Sequence, residues 1–136
     1  MSFFENVMSL NRITNKSNTM KEFLLIIRTE GSVWKDLSPE QLQKHLEHGG
    51  AYIGQLIKEG KLKNANPVDE GSRLVSGSKG QIKDGPFNES KEVIAGYFHI
   101  VAKDMDEAIA IAKGNPIFND IPTKIEVHPM MAIKEA

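Results

Sequence analysis

With 136 residues, of which 40% are hydrophobic and 26% charged, the chain has the size and composition of one folded domain with a real core. Its 17 basic and 18 acidic residues leave a net charge of -1, without the basic excess that nucleic-acid binding demands, so no nucleic-acid partner is expected. Cysteine is absent, which removes disulfides, a thiol nucleophile and thiolate metal sites, and a cytoplasmic location is the expectation.

The N-terminal stretch "MSFFENVMSLNRITNKSNTM" has no basic start followed by an apolar core, so it does not read as a secretory signal. Phe4, Val7 and Met8 could share one side of a short helix, but "NRITNKSNT" is polar and loose in character. The domain is therefore expected over residues 20–136, with residues 1–19 as a partly flexible extension. "EFLLIIRT" reads as a buried strand. Its "FLLII" is the longest apolar run, too short for a membrane span, and no membrane partner is expected. "GSVWKD" follows as a loop, in which Trp34 is either a core plug or a pocket wall.

Ser38, Pro39 and Gln41 predict a helix start with a capping box, and Leu42, Leu46, Ile53, Leu56 and Ile57 recur at helical spacing to about Glu59. Gly49 and Gly50 interrupt that helix at a cost of about 1 kcal/mol each against Ala. Gly49 falls on the apolar face, where a missing side chain would admit a closely approaching sheet. His45 and His48 stand three apart on the same helix, a spacing able to present two imidazoles to a metal, but no carboxylate completes the set and no metal or other cofactor is expected.

After Gly60, "KLKNANPVDEG" predicts a short strand and a loop, and "SRLVS", "GSKG" and "QIKDG" a hairpin with a glycine-rich turn. Asp84-Gly85-Pro86-Phe87 reads as a tight turn ahead of the strand "VIAGYFHIVA". "DMDEAIAIAK" is a helix opening near Asp104 and closing at Gly114, "NPIFNDIP" a loop, and "TKIEVHPM" a last strand. This order favours an α+β fold: a ferredoxin-like βαββαβ sandwich with an inserted hairpin and both helices on one face of an antiparallel sheet.

Alternation along the strands sorts Phe23, Leu25, Ile27, Phe98, Ile100, Ala102, Ile125 and Val127 to the helix side. Leu24, Ile26, Arg28, Tyr97, His99, Val101, Glu126 and His128 fall on the other side. So apolar a face is either solvated, with ordinary cross-strand ion pairs, or covered by a second copy to give a homodimer with a ligand cavity.

Together "MKEFLLIIR", the helix after "LSPE", "DGPFNESKE", "GYFHIVAKDMDEAIAIAKGNP" and "IEVHP" resemble the YCII-related proteins, and specifically their DGPF-domain subgroup. The resemblance spans Met20 to Pro129 and implies a ferredoxin-like fold paired as a dimeric α+β barrel. Most such proteins are small, bacterial and uncharacterised, and some relatives resemble enzymes acting on small ring-derived acids through a His–Asp pair. Asp84 matches the aspartate of the DGPF motif, while His99 and His48 are candidates for the histidine from this sequence alone. Where the family pattern ends in Glu-Val-Arg-Pro, this chain has "EVHP", so His128 substitutes a titratable group for a permanent cation.

Two readings follow. In one, a homodimeric enzyme of the lactone hydrolase or isomerase kind uses Asp84 and His99 as acid and base without a metal. Arg28, Tyr97, Glu126 and His128 then bind a small anionic compound, with Phe87 and Trp34 as walls. In the other, the same dimer is a non-catalytic ligand-binding or regulatory module.

Overall fold

A computed structural model describes residues 20–87 and 91–133; the anticipated N-terminal extension lies outside the described residues, as does the side chain of Phe87. The fold is mixed α+β, with antiparallel sheets and three α-helices among the described residues. Four strands, β1 (Lys21–Glu30), β2 (Leu62–Pro67), β5 (Glu92–Ala102) and β6 (Thr123–Pro129), form the main sheet in the order β2-β5-β1-β6. A separate two-stranded sheet pairs β3 (Arg73–Ser78) with β4 (Gln81–Phe87).

The face division that alternation predicts is the one observed. Along β1 the residues Phe23, Leu25, Ile27 and Thr29 are buried, while Leu24, Ile26 and Arg28 between them are half-exposed. On β5, Ile100 and Ala102 are fully buried on the same side. The helices that cover this side are α1 (Pro39–Lys58) and α2 (Met105–Lys113). Leu56 from α1 and Ala108, Ile111 and Ala112 from α2 pack on Phe23, Leu25 and Ile100. The large side chains among them, Phe23, Leu25, Leu56, Ile100 and Ile111, each contribute about 1.5–3 kcal/mol of transfer free energy, and the alanines less.

Local chemistry sets the helix ends. Ser38 Oγ accepts from the amide of Gln41 at 3.1 Å and the Gln41 side chain accepts from the amide of Ser38 at 2.8 Å, the capping box read from the sequence. At the other end Gly60 takes φ +70, so that its amide reaches Ile57 O and the amide of Lys61 reaches Leu56 O. That pair of bonds satisfies two otherwise orphaned carbonyls and needs the left-handed conformation that glycine adopts without strain. Asp104 caps α2 through the amide of Glu107 at 2.9 Å, as its position suggested.

Four details depart from the sequence reading. "GSVWKD" is a 3-10 turn and not a plain loop. "NPIFNDIP" contains a short helix, α3 (Ile117–Asp120), because Ile117 and Ile121 bury themselves against Ile27. The apolar stripe of α1 is only partly covered: Leu56 is 4% exposed, but Leu46 and Ile57 are 61% and 60% exposed. Finally, Asp84-Gly85-Pro86-Phe87 is not a turn but the bulged end of β4. Val75 pairs with Asp84 and Arg73 with Phe87, so the ladder gains an extra residue there, and Gly85 takes φ +107. The turn of this hairpin lies at Lys79-Gly80, within the glycine-rich "GSKG" read from the sequence, and both residues have positive φ, as the two-residue connection of a twisted hairpin requires.

Candidate functional site

On the open face of the main sheet, cross-strand register brings the expected polar residues into two groups. Leu24 lies between His99 and His128, and Ile26 between Tyr97 and Glu126. Glu126 is the centre of the first group: it accepts from Arg28 Nε on one oxygen and lies 2.8 Å from His128 Nε2 on the other. The hydrogen bonds from His128 and then Arg28 hold the Glu126 carboxyl below its usual range. In the second group Glu22 lies 2.9 Å from His99 Nε2 and 3.1 Å from Lys63 Nζ. The hydroxyl of Tyr97 accepts from Asn64 and Asn66 at 3.0 and 3.1 Å. These charges are already spent on one another.

Asp84 is elsewhere. Its side chain is 57% exposed, and it accepts from Arg73 at 3.1 Å across the hairpin. Among the described residues its hydrogen bond goes to Arg73 and not to a histidine, and that of His99 goes to Glu22. The chain thus does not by itself join Asp84 to His99. His48 is exposed on α1.

A different histidine finds a carboxylate. On the helix side of the sheet, α1 and the strands β2 and β5 border a pocket of about 320 Å³, partly open to solvent, whose lining includes Trp34, His45, Tyr52, Phe98 and Asn115. His45 Nδ1 is 3.0 Å from Asp120 Oδ2, with the two side chains only 15% and 24% exposed. The Trp34 ring meets the imidazole edge-on at a centroid distance of 5.2 Å, and Trp34 Nε1 donates to Thr29 Oγ1 at 2.9 Å. These two contacts fix the indole and, through it, one side of the imidazole. With Nδ1 engaged by Asp120, the Nε2 of His45 has no protein partner among the described residues and is its available functional atom. Tyr52 donates to the carbonyl of Ile111, and burial pushes its hydroxyl up to about 12. Asn115 spends Oδ1 on the amide of Ile117 at 3.0 Å, which leaves its Nδ2 without a protein partner among the described residues.

Trp34 was weighed in the sequence as a pocket wall, and it lines this pocket. Asp120 was missed, since it stood in a segment read as a loop, 75 residues from His45. The one available signal was His45 beside Tyr52 on the flank of the apolar stripe. Among the described residues no group of three or more His, Asp or Glu is placed to hold a metal ion, and no helix is long and apolar enough to cross a membrane.

Comparison with curated proteins finds no match. The family model of the YCII-related domain matches residues 20–131, the span that carries the main sheet, its helices and the pocket, and the chain belongs to that family.

Proposed function

We propose that this protein binds a small organic compound in the pocket beneath α1 and acts on it by acid–base chemistry carried by side chains. The observation behind this is the His45–Asp120 pair at the wall of a pocket near the lower end of the size range of ligand sites. A carboxylate on Nδ1 selects the tautomer that leaves Nε2 as a base, and it stabilises the imidazolium once a proton is taken. Asn115 Nδ2, lining the same pocket, can donate to a carbonyl oxygen on which negative charge develops. The chemistry this pairing suits is removal of a proton next to a carbonyl, or activation of water against a lactone or ester. The alternative is a non-catalytic binding module in which the same groups only orient a ligand.

The test is an assay of the purified protein on lactones, unsaturated acids and aryl esters. Turnover of at least one is expected, falling about 100-fold or more in His45→Gln. Asp120→Asn should lower the rate less and displace its pH profile, because Asp120 positions the base and does not touch substrate. Turnover unaffected by His45→Gln defeats the catalytic reading; ligand binding without turnover leaves the module.

A second reading concerns the open face. Its half-buried Leu24, Ile26 and Val101, framed by paired charges, favour a cover by a second copy of the chain. The strand order β2-β5-β1-β6, with α1 and α2 packed on one side of the sheet, supports reading it as a ferredoxin-like sandwich. Two such sheets face to face would make the dimeric α+β barrel of the DGPF subgroup. Arg28, Tyr97 and His128 would then border a cavity for a small anionic compound, with Asp84 delivered to His99 from the partner's hairpin. Sedimentation that finds a dimer, reduced to a folded monomer by Ile26→Glu, supports this arrangement; a monomeric native protein refutes it.

A further inference from the structure

Gly49 and Gly50 interrupt the interior of α1, where each weakens the helix relative to alanine. A tertiary reason would be a close approach by another element, as at Gly96, where an added Cβ would fall 2.9 Å from Asn66 O. Nothing of the kind holds here. A Cβ at Gly49 or at Gly50 would meet nothing within 4 Å, so the sheet approach expected from the sequence is absent. Both glycines instead line the pocket, and Gly54, one turn further along the same helix and equally uncrowded, does not. The bare helix backbone is one wall of the space that His45 and Asn115 furnish.

The chemistry of the other walls is specific. Among the described residues no Lys, Arg, Asp or Glu lines the pocket; Ile27, Ile53, Phe98 and Ile117 do, beside the ring of Trp34. An ion brought against these apolar walls would lose part of its hydration and find no charged side chain lining the pocket to replace it, since His45 is paired with Asp120. The volume exceeds the 150 Å³ or so that holds a single benzene, but only about twofold.

We infer that the pocket takes an uncharged, ring-bearing molecule with one carbonyl or hydroxyl oxygen. The ring lies on the bare helix surface at Gly49 and Gly50, and the oxygen faces His45 and Asn115. This rests on the pocket being the functional site and adds the class of its ligand. It contrasts with the anionic compound assigned to the open face.

The chain has a single tryptophan, so one indole N–H resonance, that of Trp34, reports on the pocket without assignment ambiguity. Titrations with acetophenone, benzoate and benzylammonium keep the ring and make its substituent neutral, anionic and cationic in turn. The expected result is a saturable shift with acetophenone, at a dissociation constant at least tenfold below that of either ion. Gly49→Leu, which fills the wall, should weaken acetophenone at least tenfold, while Gly54→Leu leaves it unchanged. Gly49→Ala and Gly50→Ala should raise the thermal unfolding midpoint, which shows that the fold tolerates side chains there. Benzoate binding as tightly as acetophenone overturns the inference and leaves the pocket standing as the site. Acetophenone binding that is indifferent to Gly49→Leu removes both.

Discussion

The two faces of the main sheet hold histidines in contrasting company. On the open face His99 and His128 lie against Glu22 and Glu126, and those carboxylates are shared with Lys63 and Arg28. On the helix-covered face His45 has, among the described residues, Asp120 to itself, an indole at its edge and an apolar space beside it. The open-face groups are ion pairs in which each carboxylate is divided between a histidine and a permanent cation, and solvent screens the exposed ones. On the covered face His45 Nε2 and Asn115 Nδ2 have no protein partner among the described residues, and both residues line a largely apolar pocket. Chemical competence depends on where an unpaired atom sits, and that of His45 sits beside an apolar space.

The largest expected effect measures how unequal the faces are in stability. Phe23→Ala removes a side chain that is 2% exposed and should cost about 3–5 kcal/mol in urea denaturation. Leu24→Ala, one residue on, should cost far less in the isolated chain; equal losses would show that the open face is as fully covered as the core. A smaller effect probes the covered face. Tyr52→Phe keeps the ring against Phe98 and loses the bond to the Ile111 carbonyl, at a cost of about 1 kcal/mol. Because burial raises the Tyr52 hydroxyl above its unfolded value of 10.0 to about 12, its contribution is complete below pH 10. It is lost as pH rises from there through 12, and Tyr52→Phe should flatten that alkaline decline. A Tyr52→Phe protein with the native alkaline profile would detach the decline from this hydroxyl.

The smallest effect belongs to the open face. The hydrogen bonds from His128 and Arg28 hold the Glu126 carboxyl below its ordinary value of 4.5, so its contribution is present above pH 4.5 and fades as pH falls through its lowered value. Glu126→Gln should remove that portion of the acid sensitivity and barely change stability at neutral pH, because the group is well exposed. Acid unfolding curves of the two proteins decide it.

Much of the architecture was written in short-range pattern. The period of two in "EFLLIIRT" named the buried set Phe23, Leu25 and Ile27, and Ser38 with Gln41 and Asp104 before α2 marked the helix starts. These are readable because strand pleat and helix capping depend on neighbours within a few residues. The readings that failed involve distant packing or a choice between similar local conformations. Asp84-Gly85-Pro86 carries good turn chemistry, yet strand pairing with Arg73 and Val75 draws it into a bulge. The stripe on α1 was right in phase but overestimated in burial, since Leu46 borders a pocket and not a packed layer.

The sequence by itself determined the family, the α+β class, the sheet's two faces and the absence of thiol chemistry, all of which follow from composition, motif and local period. The tertiary structure alone decided that, among the described residues, His45 and not His99 has an unshared carboxylate beside a pocket, and that Gly49 and Gly50 face space. Those facts depend on α1, β2, β5 and α3 converging, and segments up to 75 residues apart meet only through the burial of the core that lies between them.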